Sequence, residues 1–178
     1  MKRKYIVIII LVLFVLMIKG REHYQYKKID NHHKQVIQTM INNPVKGNIQ
    51  KTYYGYIDIP KLKVRRVIFP TYHKKWLDKD FVCIFNNTNY LEEKVGNTIL
   101  VGHNNRGLFK ELKKLEINDF IYIHVNNQVF KYKVIKQEEV KYDHYIYSYE
   151  YQKHLLTIIT CTSNKKKRLV VTLSEDIA

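Results

Sequence analysis

The sequence predicts a mostly β domain, a closed barrel or a sandwich, preceded by an apolar N-terminal segment. About eight short apolar or alternating runs follow residue 53, and turn residues separate them. The strands do not alternate regularly with helices, and no glycine-rich phosphate loop is present, which argues against a doubly wound nucleotide-binding fold. Residues 52–178 are enough to form a hydrophobic core without disulfides or metals.

The chain is strongly basic, with a formal net charge of +15 over 178 residues. The lysines are spread along the whole sequence, so the charge does not indicate a nucleic-acid site, and no nucleic-acid partner is expected. Such a chain is attracted to anionic wall polymers or lipid head groups. A hydrophobic content of 46% argues against global disorder.

The N-terminus has the pattern of an export signal. Residues 1–4 are basic apart from Met1, and residues 5–18 form an unbroken apolar run of 14 residues. No small-residue cleavage motif follows, which favours an uncleaved signal-anchor over residues 1–19. We therefore expect a single-pass membrane protein whose C-terminal domain, residues 52–178, lies on the extracellular face.

Residues 20–51 are polar and are interpreted as a stalk. The side chains of His23, His32 and His33 lack partners at metal-ligand spacing, so we expect them to be solvated. The spacing of four apolar residues in this segment suits one face of a short helix: Val36, Ile37, Met40 and Ile41.

The domain is predicted to begin with strands at 54–60, 64–69, 81–85 and 98–102. The recurrence of leucine at 108, 112 and 115 predicts a short helix over 107–114. Asn126-Asn127 predicts a hairpin turn between strands at 120–125 and 128–140. The last two strands are predicted at 155–161 and 168–174.

The final pair of strands carries a nucleophile candidate. Cys161 ends an apolar strand, six polar residues follow, and Arg168 begins the next strand. If the two strands are antiparallel neighbours, Cys161 and Arg168 point to the same face. An arginine there stabilises a thiolate and can donate to an oxyanion. A shift of register would place a lysine opposite Cys161 instead, and the sequence leaves that alternative open.

A thiolate nucleophile also needs a proton donor for the leaving amine, and His103 is the candidate. His103 follows the apolar 98–102 strand, at a position suited to a cleft. The second cysteine, Cys83, lies inside an apolar strand and is interpreted as a core thiol.

These strings resemble the sortases of Gram-positive bacteria. Residues 157–161, Thr-Ile-Ile-Thr-Cys, are similar to the family's Thr-Leu-x-Thr-Cys signature, with Ile158 in place of leucine. Residues 96–104 resemble the strand that delivers the family's histidine, and residues 55–60 resemble its first strand. The likeness runs in order over about residues 54–173.

The resemblance implies an eight-stranded β-barrel and a cysteine transpeptidase. Cys161 would cleave a Leu-Pro-x-Thr-Gly-like sorting signal, His103 would act as acid and base, and Arg168 would hold the substrate or the oxyanion. Thr160 and Asn104 would support the substrate or the oxyanion site. The partners implied are surface proteins or pilins that carry sorting signals, with an amine of peptidoglycan or of a pilin as acceptor.

No cofactor is expected. Some versions of the fold bind calcium, and Glu92-Glu93 and Glu138-Glu139 are candidates by position, although solvated carboxylates explain them better. The loop after Cys161 and the segment 142–153 are short for the family, so the subclass stays open. Two other functions also stay open, a plain cysteine peptidase and a membrane-tethered basic module that binds wall polymers or nucleic acid.

Overall fold

The computed structural model describes residues 2–42, 53–86, 88–91, 93, 95–105, 107–142, 154–163 and 166–176. The chain forms an eight-stranded closed barrel preceded by one long helix, α1 (Lys2–Asn42), with a short helix α2 (Lys74–Leu77) on its outside. The strands are β1 (Gly55–Ile59), β2 (Val64–Phe69), β3 (Val82–Ile84), β4 (Gly96–Val101), β5 (Phe120–Val125), β6 (Gln128–Lys141), β7 (His154–Cys161) and β8 (Lys167–Glu175).

The barrel has the strand order β1-β2-β3-β4-β7-β8-β6-β5, and β5 pairs with β1 to close it. The pairs β2–β3 and β4–β7 are parallel, and the other pairs are antiparallel. A parallel pair needs a long crossover connection. The chain between β4 and β7 therefore travels through the whole β5–β6 hairpin before β7 enters the middle of the sheet. Of the two architectures that the sequence allows, the closed barrel is confirmed.

Alternation along the strands separates an inner core from an outer face. Ile57, Leu100, Leu156, Ile158 and Val171 are inner residues, and each is fully buried in one apolar cluster. This cluster fills the barrel, as expected for a small closed sheet. The odd-numbered residues of β7 consequently lie on the outer face.

Two predicted connections have different outcomes. The hairpin is confirmed, because Asn126 and Asn127 join β5 to β6 with φ values of 48° and 65°, as a type I′ turn requires. The α-helix predicted over 107–114 is wrong, because Gly107 has a φ of +82° and only a 3-10 turn forms, at Leu112–Lys114. The leucines that suggested the helix are nevertheless core residues, since Leu112 is fully buried.

Helix α1 is continuous over 41 residues and includes most of the segment interpreted as a stalk. The apolar side chains of residues 5–18 are 42–64% exposed. Among the helices that the structure describes, none combines the length and mean hydropathy needed to cross a membrane.

The second half of α1 packs on the outer face of β2. His33 is fully buried and its Nδ1 accepts a hydrogen bond from the Val67 amide at 3.2 Å, while Ile37 is 5% exposed. The Arg66 guanidinium pairs with the Asp30 carboxylate at 2.9 Å. The expectation that His33 is solvated is therefore wrong, because helix docking buries it against the barrel. His23 and His32 are exposed, as expected.

Candidate active site

Cys161 and Arg168 lie directly opposite each other on the antiparallel strands β7 and β8. The register that the sequence favoured is therefore present, and no lysine takes the place of Arg168. Both side chains belong to the outer face, because their neighbours Thr160 and Leu169 form the next pair and Leu169 belongs to the inner core. Cys161 and Arg168 are each partly exposed. A partly exposed sulfur beside a guanidinium is accessible to a substrate and close to a positive charge.

His103 lies in the loop that follows β4, the strand that pairs in parallel with β7 on the side opposite β8. Val101 pairs with Ile159, and the Gly102 amide donates to the Ile159 carbonyl at 3.2 Å. The loop that carries His103 therefore leaves β4 next to the end of β7, where Cys161 lies.

The residue after the histidine ties the two strand ends together. Asn104 donates a hydrogen bond from Nδ2 to the Cys161 backbone carbonyl at 2.7 Å. This contact joins the loop that carries His103 directly to the cysteine's own peptide group. The sequence singled out Asn104 as a supporting residue, and the structure places it in contact with Cys161.

The His103 loop is also held from the turn after α2. The His103 Nε2 lies 3.6 Å from the Asp78 carboxylate, and Asn105 donates from Nδ2 to the Asp80 carboxylate. The side chains of His103 and Asp78 are 44% and 57% exposed, so water screens this pair. The turn therefore helps to position the loop that carries His103.

The guanidinium of Arg168 stacks on the Tyr142 ring, with Cζ 4.4 Å from the ring centroid. A cation held over an aromatic face has fewer conformations available to it. Tyr142 therefore restricts the guanidinium on the β6 side of Arg168.

Thr160 lies on the inner side of the strand. It is 3% exposed, and its Oγ1 has no hydrogen-bond partner among the described residues. Its pairing with Leu169 sets it on the face opposite Cys161. The Thr160 hydroxyl is therefore not beside the sulfur, although the two residues share a peptide bond.

Cys83 is fully buried between α1 and the barrel, and burial raises the pKa of its thiol to about 11. The interpretation of Cys83 as a core thiol is confirmed. The two cysteines differ in environment, because Cys161 is partly exposed at a strand end. A buried thiol of raised pKa is a poor nucleophile.

The described residues contain no group of three or more His, Cys, Asp and Glu side chains that could hold a metal ion. Of the calcium candidates, Glu93 accepts hydrogen bonds from Asn89 and the Tyr90 amide, and Glu139 pairs with Lys167. Glu92 lies outside the described residues.

Sequence reasoning missed the residues that hold the loop, Asp78 and Asp80, and the stacking partner Tyr142. Asp78 and Asp80 are more than twenty residues from His103 in sequence, and no local motif marks them. Tyr142 begins the segment 142–153, to which the sequence analysis assigned no role in the site. Its pairing with Arg168 depends on the β6–β8 register, in which Val140 pairs with Arg168.

The closed barrel thus pairs Cys161 with Arg168 and joins the loop that carries His103 to the Cys161 carbonyl through Asn104. The family model described as "Sortase domain" matches residues 57–176. The chain belongs to the sortase family of cysteine transpeptidases.

Solved structures agree with this fold. Sortase C1 from Streptococcus agalactiae has a TM-score of 0.69 and 23% identity, covering 86% of this chain and 90% of that one. SortaseC1 from Streptococcus suis has a TM-score of 0.67 and 23% identity, covering 71% and 74%. The sortase D5 transpeptidase of Clostridium perfringens has a TM-score of 0.66 and 23% identity, covering 86% and 99%. No protein of curated function matches the chain.

Proposed function

We propose that the chain is a transpeptidase that cleaves a Leu-Pro-x-Thr-Gly-like sorting signal and joins the released acyl group to an amine of the cell wall or of a pilin. The support for this proposal is the pairing of Cys161 with Arg168, together with the bond from Asn104, the neighbour of His103, to the Cys161 carbonyl. The proposal agrees with two similar structures, a Clostridium perfringens sortase C with the C-terminal cell wall sorting motif and a Streptococcus pneumoniae sortase C described with pilin substrate specificity.

The first half-reaction forms a thioester. The Cys161 thiolate attacks the carbonyl carbon of the Thr–Gly bond, and Arg168 donates to the oxyanion that develops. Protonated His103 gives its proton to the nitrogen of the departing glycine, the C–N bond breaks, and the acyl group remains on sulfur. Asn104 supports this step by fixing the His103 loop to the Cys161 carbonyl.

The second half-reaction transfers the acyl group to an amine. His103, now neutral, accepts a proton from the attacking amine as the new C–N bond forms and the C–S bond breaks. The sulfur leaves as a thiolate, so the cysteine and the histidine return to their starting states. If water attacked instead, the same site would act as a peptidase.

The test uses the full-length chain in detergent, a sorting-signal peptide and a primary amine. We expect a thioester on Cys161 in intact-mass spectra and an amide product by chromatography. His103→Ala and Arg168→Ala should each lower the rate by at least about 10²-fold, the usual cost of removing a general acid or an oxyanion donor. If Cys161→Ala keeps its activity, Cys161 is not the nucleophile and the enzyme assignment is wrong. If the peptide is hydrolysed but no amide product forms, the protein is a peptidase and not a transpeptidase.

We also propose that residues 1–19 anchor the protein in the cell membrane, with the barrel on the extracellular face. The support is the exposure of the apolar side chains at 5–18, which no other described part of the chain covers. After cell fractionation, the protein should stay in the membrane pellet after carbonate washing, and protease added to wall-stripped cells should digest the barrel. Recovery in the carbonate supernatant would reject the anchor.

A further inference from the structure

The loop that carries His103 is closed on itself by backbone hydrogen bonds. The Phe109 amide donates to the His103 carbonyl at 3.3 Å, and the Leu108 amide donates to the Asn105 carbonyl at 3.2 Å. The Phe109 ring also packs against Gly102, the residue before the histidine. A displacement of the far side of the loop therefore moves His103 as well.

The far side of the loop, at Gly107, packs on helix α1 and strand β2. An added Cβ on Gly107 would lie 2.7 Å from the Tyr26 hydroxyl oxygen and 2.7 Å from Nη2 of Arg66, and closer still to the Tyr26 ring. The loop backbone at Gly107 therefore lies directly against these two side chains. Tyr26 belongs to α1 and Arg66 to β2, so the loop is packed where the helix meets the barrel.

The position of Arg66 depends on α1. Arg66 is 4% exposed, and its Nη1 donates to the Asp30 carboxylate at 2.9 Å and to the Arg65 carbonyl at 2.7 Å. A buried guanidinium is costly without a paired carboxylate, and Asp30 supplies that carboxylate from α1. Tyr26 and Asp30 are four residues apart and lie on the same face of the helix. One face of α1 thus supplies both the Tyr26 ring and the partner of Arg66.

The His103 loop is consequently held at two places. Asn104 bonds to the Cys161 carbonyl, and Gly107 packs on Tyr26 and Arg66. The function proposed above uses only the first contact. The second contact ties the acid–base residue to the helix that leads from the N-terminal apolar segment.

We propose that Tyr26 and Arg66 are positioning residues for His103, so that α1 supports the acid–base step in addition to connecting the barrel to the N-terminal segment. The inference rests on the proposed transpeptidase function. Both residues act through the loop, and small displacements of a catalytic group are costly to the rate. Their loss should therefore slow only the steps in which His103 transfers a proton.

The experiment compares two acyl donors on the full-length chain in detergent. The sorting-signal peptide releases a glycine amine, which must gain a proton from His103 as it leaves. The same acyl peptide as an aryl thioester releases an aryl thiolate, which leaves as an anion and needs no proton. Both donors form the same thioester on Cys161, measured by intact-mass spectrometry. His103→Ala gives the reference pattern, slow acylation by the peptide and an unchanged rate with the aryl thioester.

Tyr26→Ala should reproduce this pattern. Acylation by the peptide should slow by about 10-fold or more, because a misplacement of about 1 Å can cost 10²-fold, and the aryl thioester rate should not change. Tyr26→Phe keeps a ring against Gly107 and should lose less than Tyr26→Ala. Tyr24→Ala is the matched control, since Tyr24 is 66% exposed on the same helix, and it should leave both rates unchanged.

Arg66→Lys is the second variant. Lysine keeps a cation for Asp30 but lacks the Nη2 that lies against Gly107, so the peptide should again react more slowly and the aryl thioester at the wild-type rate. Arg65→Lys is its matched control, because the Arg65 side chain on the same strand is 59% exposed and pairs with Asp58. Urea unfolding checks that each variant is folded before the rates are compared.

The outcomes distinguish this inference from the function on which it rests. If the wild-type chain forms no thioester, or if His103→Ala reacts normally with the peptide, the proposed mechanism itself fails. If that mechanism holds but Tyr26→Ala keeps the wild-type peptide rate, or slows both donors equally, the helix does not position His103. A Tyr26→Phe chain as slow as Tyr26→Ala would also overturn the role given to the ring.

Discussion

Asn104 and Cys161 are joined by a 2.7 Å hydrogen bond from the side-chain amide of one to the backbone carbonyl of the other. The two residues follow the ends of parallel strands that are far apart in sequence. The bond therefore fixes the position of the His103 loop relative to the nucleophile. Small displacements at a catalytic pair are costly to the rate.

Asn104→Ala should slow acylation by roughly 5–10-fold, because a typical hydrogen bond contributes about 1 kcal/mol and 1.4 kcal/mol is tenfold. Single-turnover thioester formation measures this directly. Asn31→Ala, at an exposed position on α1, is the control and should acylate at the wild-type rate. An Asn104→Ala chain as fast as wild type would show that the loop needs no such tether.

Gly102 precedes His103 and has no room for a side chain. A Cβ there would lie 2.6 Å from Cε2 of Phe109, which is 1% exposed and cannot move away cheaply. Gly102→Ala should lower the free energy of unfolding by about 1–3 kcal/mol, as overpacking usually does, and should reduce activity by moving His103. Urea unfolding and thioester formation are the measurements.

Gly20, unlike Gly102, has room for a side chain. It lies within α1 and has nothing within 4 Å of an added Cβ. Gly20→Ala should stabilise the helix by about 0.5–1 kcal/mol. If both alanine variants changed unfolding in the same direction, the packing of Phe109 on Gly102 would not be the cause.

The two thiols should differ in reactivity. At neutral pH, iodoacetamide should label the folded protein once, on Cys161, because burial raises the pKa of the Cys83 thiol to about 11 and excludes reagent. Peptide mapping locates the label. Cys83→Ala should keep catalytic activity, and folded Cys161→Ala should remain unlabelled. Rapid labelling of Cys83 in the folded Cys161→Ala protein would contradict the buried environment.

The docking of α1 should depend on pH through His33. Burial, followed by the charges of Arg66 and His32, lowers the pKa of His33 from 6.5 to about 3, although Asp30 acts in the opposite direction. The unfolded chain binds a proton near pH 6.5 and the folded chain does not. The stability present above that pH is therefore lost as the pH falls toward 3, by up to about 1.4 kcal/mol per pH unit.

Urea unfolding between pH 7 and pH 4 tests this dependence. His33→Gln keeps an acceptor for the Val67 amide but cannot titrate, so its stability should fall less steeply with acid. His23→Gln, at an exposed position on the same helix, should follow the wild-type curve. Equal slopes in His33→Gln and wild type would assign the acid sensitivity to other groups.

The sequence predicted those parts of the fold that local pattern determines. The strand around Cys161 and the strand of Arg168 are adjacent in sequence, so their pairing followed from a short loop between two apolar runs. The placement of His103 came only from family resemblance, since the β4–β7 pairing spans the whole intervening hairpin. Apolar periodicity says which face is buried but not which distant strand lies beside it.

The contacts of α1 could not be predicted for the same reason. Asp30 and His33 look like ordinary polar residues of a surface segment, and their burial depends on Arg66 and Val67 more than thirty residues away. The failed helix at 107–114 has a more local cause. Leucine spacing suits both a helix and a turn followed by a 3-10 segment, and the φ of Gly107 favours the second.

The parallel pairing of β4 with β7 joins two segments that are far apart in sequence, so the His103 loop reaches the end of β7 only in the folded barrel. Such long-range pairing forms late, since loop closure must come first. An incompletely folded chain, for example during export, would carry a cysteine without its histidine. Under the proposed function, acyl transfer would therefore require the closed barrel.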